Sequence, residues 1–97
     1  MANICTNELV VHSENADNLI YVNSFCRDHF NITKIFDNYP DLYIDFESDW
    51  TFPENIMNKM FENLPDKEDI NMECLSIEWG NYYAVFNVCN SKGWMLV

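Results

Sequence analysis

The chain has 97 residues, and 16 Asp and Glu against 5 Lys and Arg leave a formal net charge of −11. A chain that is 48% apolar and 15% aromatic can bury a core, which excludes an acidic disordered tail. With only Gly80 and Gly93 there is no glycine-rich phosphate cradle or dinucleotide fingerprint, and no apolar run reaches the roughly 20 residues of a membrane span. The opening Met1-Ala2-Asn3-Ile4 has neither a charged leader nor an apolar signal core. The expectation is a single cytoplasmic domain over 1–97.

Cys5 to His12 reads as a first strand, rich in β-branched residues. Ser13 is a good N-cap, with Glu14 and Asp17 complementing the helix dipole. Ala16, Leu19, Ile20, Cys26 and Phe30, widened by Val22 and Phe25, then predict a helix over about 14–29. Ile32 to Phe36 is short and β-prone, and Asp37-Asn38-Tyr39-Pro40-Asp41 has turn chemistry. From Leu42 to Glu47 the pattern alternates strictly, with Leu42, Ile44 and Phe46 on one face and Tyr43, Asp45 and Glu47 on the other.

Pro53 opens a second helix, whose stripe is Ile56, Met57, Met60, Phe61 and Leu64 and which ends before Pro65. Asp66-Lys67-Glu68-Asp69 is a charged loop. Met72 to Trp79 and Tyr82 to Cys89 read as strands joined by a two-residue hairpin turn at Gly80-Asn81. The tail Trp94 to Val97 is either a short edge strand or a plug. The order β-α-β-β-α-β-β predicts an α+β fold of the ferredoxin-like sandwich type, with both helices on one face of an antiparallel sheet.

Two segments carry a family resemblance. Met1-Ala2-Asn3-Ile4-Cys5-Thr6-Asn7-Glu8-Leu9 is similar to the Met-x-Asn-Trp-Cys-x-Asn-x-Leu opening of the YubB ferredoxin-like family of phages and plasmids. Ser48-Asp49-Trp50-Thr51-Phe52-Pro53 resembles that family's Ser/Thr-x-Trp-x-Pro-Pro element before its second helix. Asn3, Cys5, Asn7, Leu9, Ser48, Trp50 and Pro53 match, whereas Ile4 stands in place of the usual Trp and Phe52 in place of the first Pro. The resemblance implies a ferredoxin-like fold and a mobile-element origin. The family has no established activity, so no catalytic residue, cofactor or metal ligand carries over.

Cys5, Cys26, Cys74 and Cys89 contain no Cys-x-x-Cys pair and sit in apolar contexts, so they read as free, buried thiols. His12 and His29 match no ligand spacing, and His29 reads as a helix C-terminal cap. Arg27, Lys34, Lys59, Lys67 and Lys92 are scattered singly, which disfavours direct binding of nucleic acid or an anionic membrane. The fitting partner is a basic protein surface, unless the charge serves solubility alone. Expected contact residues are Tyr43, Asp45, Glu47, Asp49, Trp50, Asp66, Glu68, Asp69 and Trp94. The function these imply is non-catalytic: inhibition of a nucleic-acid-guided defence nuclease through carboxylates that occupy a phosphate-binding groove. A small metal or enzyme site at Asp45 and Glu47, or a homodimer hiding the second sheet face, are the alternatives.

Overall fold

The computed structural model describes residues 3–97, so Met1 and Ala2 of the opening motif lie outside the described residues. The elements are β1 (Ile4–His12), α1 (Ala16–His29), β2 (Asn31–Asn38), β3 (Asp41–Asp49), α2 (Glu54–Glu62), β4 (Asn71–Glu78), β5 (Tyr83–Asn90) and β6 (Gly93–Leu96). They form an α+β structure with one six-stranded sheet in the order β2-β3-β1-β4-β5-β6. Every neighbouring pair is antiparallel. The two strands joined by each helix, β1 to β2 and β3 to β4, therefore run parallel with one strand between them, a split β-α-β unit. The tail is a strand, pairing Trp94 with Cys89 and Met95 with Val88.

Alternation assigns the faces. Cys5, Asn7, Leu9 and Val11 of β1 are buried, as are Leu42, Ile44 and Phe46 of β3 and Met72, Cys74 and Ser76 of β4. Leu9, Val11, Leu42, Ile44, Phe46, Met72 and Cys74 meet Leu19, Val22 and Cys26 of α1 and Met57 and Met60 of α2 in one core. Their partners in the alternation, from Thr6 and Glu8 to Asp45 and Glu47, stand on the other face, which no helix covers.

Several local expectations change. The side chain of Asn15, not Ser13, caps α1, accepting the Asp17 N–H at 3.0 Å. Ser13 is instead buried, donating its hydroxyl to the Asp69 carbonyl at 2.6 Å. Ile20 leaves the predicted stripe and is exposed, while Asn18 takes a place inside. Its amide nitrogen donates to the carbonyls of Asp66 and Asp69, and its oxygen accepts the Asp66 N–H, so the charged loop is tied down on α1. The β4–β5 connection is longer than a two-residue turn: a 3-10 turn spans Trp79–Asn81, and Tyr82 follows in the left-handed region at φ 55°. No helix among the described residues is long and apolar enough to cross a membrane.

Candidate functional site

The uncovered sheet face is built by pairing register. Glu8 on β1 lies directly opposite Asp45 on β3, and Thr6 opposite Glu47. On the other flank of β1, Val10 is opposite Glu73 and Glu8 opposite Leu75. Glu8 therefore has Asp45 beside it and Glu47 and Glu73 on its diagonals, all on one face. Directly opposed like charges on a strand pair are destabilising, so this arrangement costs stability. Lys34 of β2 is opposite Asp45, but among the described residues the ion pairs at 4.0 Å or less involve only His12, with Asp41 and Glu14. The carboxylates of this face carry their charge without a Lys or Arg partner at that distance. Asn31 donates its amide to Glu47 at 2.7 Å, fixing that side chain's position.

The predicted contact residues separate into three groups. Tyr43, Asp45 and Glu47 share the open face, and Asp49 and Trp50 extend it at the end of β3. Asp66, Glu68 and Asp69 do not join them: they lie at the opposite end of the sheet, clamped to the start of α1 through Asn15 and Asn18. Trp94 does not join them either. It lies half-buried on the helix side, its indole N–H donating to the Met57 carbonyl at 3.1 Å and its ring set edge-on to Phe52 at 5.3 Å. Sequence reasoning missed Glu8 and Glu73, whose signal was the alternation of Glu8 with buried Asn7 and Leu9 and of Glu73 with buried Met72 and Cys74.

Beyond the acidic row, Leu75, Ile77, Phe86 and Val88 make the half of the same face toward β5 apolar, and Met95 continues it at the edge. On the β2 side, Phe36 and Tyr43 form a tilted pair with ring centroids 6.0 Å apart. On the helix side, a groove of about 870 Å³ separates the start of α2 from β5 and β6, with Phe52, Ile56, Val85 and Trp94 among its walls.

Chemistry in the interior is muted. The four thiols are free and buried. Burial pushes those of Cys26, Cys74 and Cys89 up to about 12, and raises Cys5 as well, so thiolate chemistry is suppressed at neutral pH. No group of three or more His, Cys, Asp or Glu side chains among the described residues is placed to hold a metal ion. Asn7 is buried beneath the acidic row at the centre of a closed polar network. Its amide donates to the Ser48 hydroxyl at 2.9 Å, and its oxygen accepts from the Ser76 hydroxyl at 2.7 Å. What the exposed site offers is an array of anions set by strand register beside apolar surface, which suits recognition of a cationic surface. No family model, curated protein or solved structure matches this chain.

Proposed function

We propose that this chain is a non-catalytic acidic interaction protein that occupies the basic surface of a nucleic-acid-binding protein. The observation carrying this reading is the unneutralised row of Glu8, Asp45, Glu47 and Glu73 on one uncovered sheet face, held in register by strand pairing. Carboxylates two residues apart on a strand stand roughly 6.6 Å apart, and neighbouring strands are about 4.8 Å apart, so the face presents a two-dimensional lattice of anions. Such a surface speeds encounter with a basic groove and competes there with phosphates. The split β-α-β topology supports a ferredoxin-like sandwich extended by the β5–β6 hairpin, in keeping with the resemblance to the YubB family and its mobile-element setting. A nucleic-acid-guided defence nuclease is the partner this setting suggests.

The test compares two charge reversals of equal size. Asp45→Lys/Glu47→Lys alters the sheet face, and Asp66→Lys/Glu68→Lys alters the opposite end. In a salt-graded pull-down from host lysate, the wild type and the second variant should retain a nucleic-acid-binding protein that the first variant loses. Equal loss from both variants, or no such protein at any salt concentration, would overturn the reading.

A further inference from the structure

The end of the sheet where β1 begins and β3 finishes carries an unusual set of aromatic side chains. Trp50 is 51% exposed, Trp79 71% and Tyr82 95%, with Ile4 also exposed beside them. Trp50 and Tyr82 are the non-glycine residues at positive φ among the described residues, at 67° and 55°. A left-handed backbone at a bulky L-residue is disfavoured, and folds normally place Gly or Asn there. Here the strained positions hold aromatics outside the core, Tyr82 almost wholly exposed and Trp50 half-exposed. Backbone geometry does not account for that choice of residue, and at Tyr82 packing does not either.

The surrounding structure holds the backbone that carries these rings. The Trp50 N–H donates to the Asn3 carbonyl at 2.9 Å, joining the end of β3 to the start of β1. Buried Glu78 accepts the N–H groups of Gly80 and Asn81, each at 2.8 Å, and so fixes the turn that presents Trp79 and Tyr82. A Cβ on Gly80 would come within 2.9 Å of that carboxylate, whose end would have to shift. Thr51 and Tyr83 share a hydroxyl–hydroxyl hydrogen bond that ties the two loops together. Since β3, β1, β4 and β5 are consecutive in the sheet, Trp50 and Tyr82 are separated by three strand spacings, roughly 14 Å.

We infer that this aromatic end is an arginine-recognition surface for the basic partner. The inference rests on the proposed acidic-face function and names the side chain that the partner presents. Indole is the best cation–π acceptor, and guanidinium is the cation that stacks flat on it while its edge remains free for a carboxylate. Asp49, exposed at the end of β3 and next to Trp50 in sequence, is the carboxylate that would serve the guanidinium edge. An ammonium, compact and strongly hydrated, gains less from the same pairing of ring and carboxylate. The surface therefore selects arginine over lysine, whereas the acidic row on the sheet face attracts either.

Titration of the full chain with nona-arginine and nona-lysine peptides, followed by calorimetry at 25 and 150 mM NaCl, tests this. At 150 mM NaCl the arginine peptide should bind about fivefold more tightly. Trp50→Ala/Trp79→Ala should erase that preference, and Trp79→Phe should keep part of it; thermal melts confirm that each variant is folded. Equal affinity for both peptides, or a preference unchanged in the double alanine variant, overturns the arginine inference while leaving the acidic-face reading intact. Asp45→Lys/Glu47→Lys should weaken both peptides together and leave the arginine preference in place; unchanged affinity of both peptides in that variant, with the preference still lost in the tryptophan variant, supports the inference and overturns the acidic-face reading. Failure of both peptides to bind even at 25 mM NaCl overturns both.

Discussion

Neutralising Glu8 should make the protein more stable, because Glu8 is the centre of the repulsive row. Its side chain is exposed on the open face, directly opposite Asp45 and diagonal to Glu47 and Glu73. Two unit charges about 5 Å apart in water repel by roughly 0.8 kcal/mol, and a Debye length of about 8 Å at physiological salt roughly halves that. The two diagonal neighbours, near 7 Å, together add about 0.5 kcal/mol after screening over the same Debye length. Glu8→Gln should therefore gain on the order of 0.9 kcal/mol, and Glu8→Lys, which turns each repulsion into attraction, about twice that. In a domain of this size such gains correspond to rises in Tm of roughly 5 °C and 10 °C. Thermal melts monitored by circular dichroism at 20 mM, 150 mM and 1 M NaCl provide the assay. The gain should be largest at 20 mM and nearly vanish at 1 M. A Gln variant no more stable than wild type, or a gain independent of salt, would show that the opposed carboxylates do not repel and that the face is not strained by its charge.

Other expectations follow from the interior and the loops. Asn7→Leu should cost about 1–3 kcal/mol in urea denaturation, because it leaves the buried Ser76 hydroxyl without its acceptor, whereas Ser48 still donates to the Thr51 carbonyl. Tyr82→Gly should stabilise by roughly 0.5 kcal/mol, since relief of the left-handed backbone exceeds the extra chain entropy and a side chain this exposed loses almost no packing; a lower urea midpoint than wild type would refute this. The hydrogen bond to Asp41 raises the pKa of His12 against the smaller opposing effect of desolvation, with Glu14 and Asp69 also favouring the charged form. The stabilisation from this pairing is fully present below the ordinary histidine value and is lost as pH rises through the raised one; an NMR titration should place the His12 midpoint above about 6.5, with Asp41→Asn bringing it down. A disulfide exchange reagent at pH 8 should label the thiols only as fast as the protein unfolds, given their burial and raised pKa.

The features legible from sequence were those written in local periodicity. The alternation from Leu42 to Glu47 and the stripe of Met57, Met60 and Leu64 assigned β3 and α2 to the core side, because burial there repeats at the period of the backbone. Asn7 and Asn18 broke the pattern. A polar residue in an apolar row signals surface unless its partners are known, and here they come from Ser48 and Ser76 or from a loop 48 and 51 positions away. The candidate site was half legible for a related reason. Asp45 and Glu47 share a strand and could be seen together, but Glu8 and Glu73 reach the same place only through inter-strand register. Asp66, Glu68 and Asp69 had the right charge at the wrong end, since nothing in a charge run states which tip of the sheet its loop occupies. Trp94 looked like an exposed anchor because a four-residue tail carries little pattern, yet a hydrogen bond to Met57 and contact with Phe52 draw it against α2.

Two unrelated departures from optimal stability converge on neighbouring surfaces of this molecule. The first is electrostatic: Glu8 opposes Asp45 although a neutral residue at either position would serve the strand as well. The second is conformational: Trp50 and Tyr82 occupy backbone that glycine would accept without strain. Neither feature helps the core, which is closed beneath them by Leu9, Ile44 and Phe46 with the network around Asn7. Solubility explains net charge, but a soluble domain gains nothing by aligning its charges in register or by turning tryptophan outward from a strained position. Both costs are offset if a partner supplies cations to the carboxylates and guanidinium groups to the rings, because binding then removes the repulsion and the exposure together. The stabilising substitutions at Glu8 and Tyr82 should accordingly weaken binding, with Glu8→Lys acting mainly on the association rate and its salt dependence, and Tyr82→Gly mainly on dissociation.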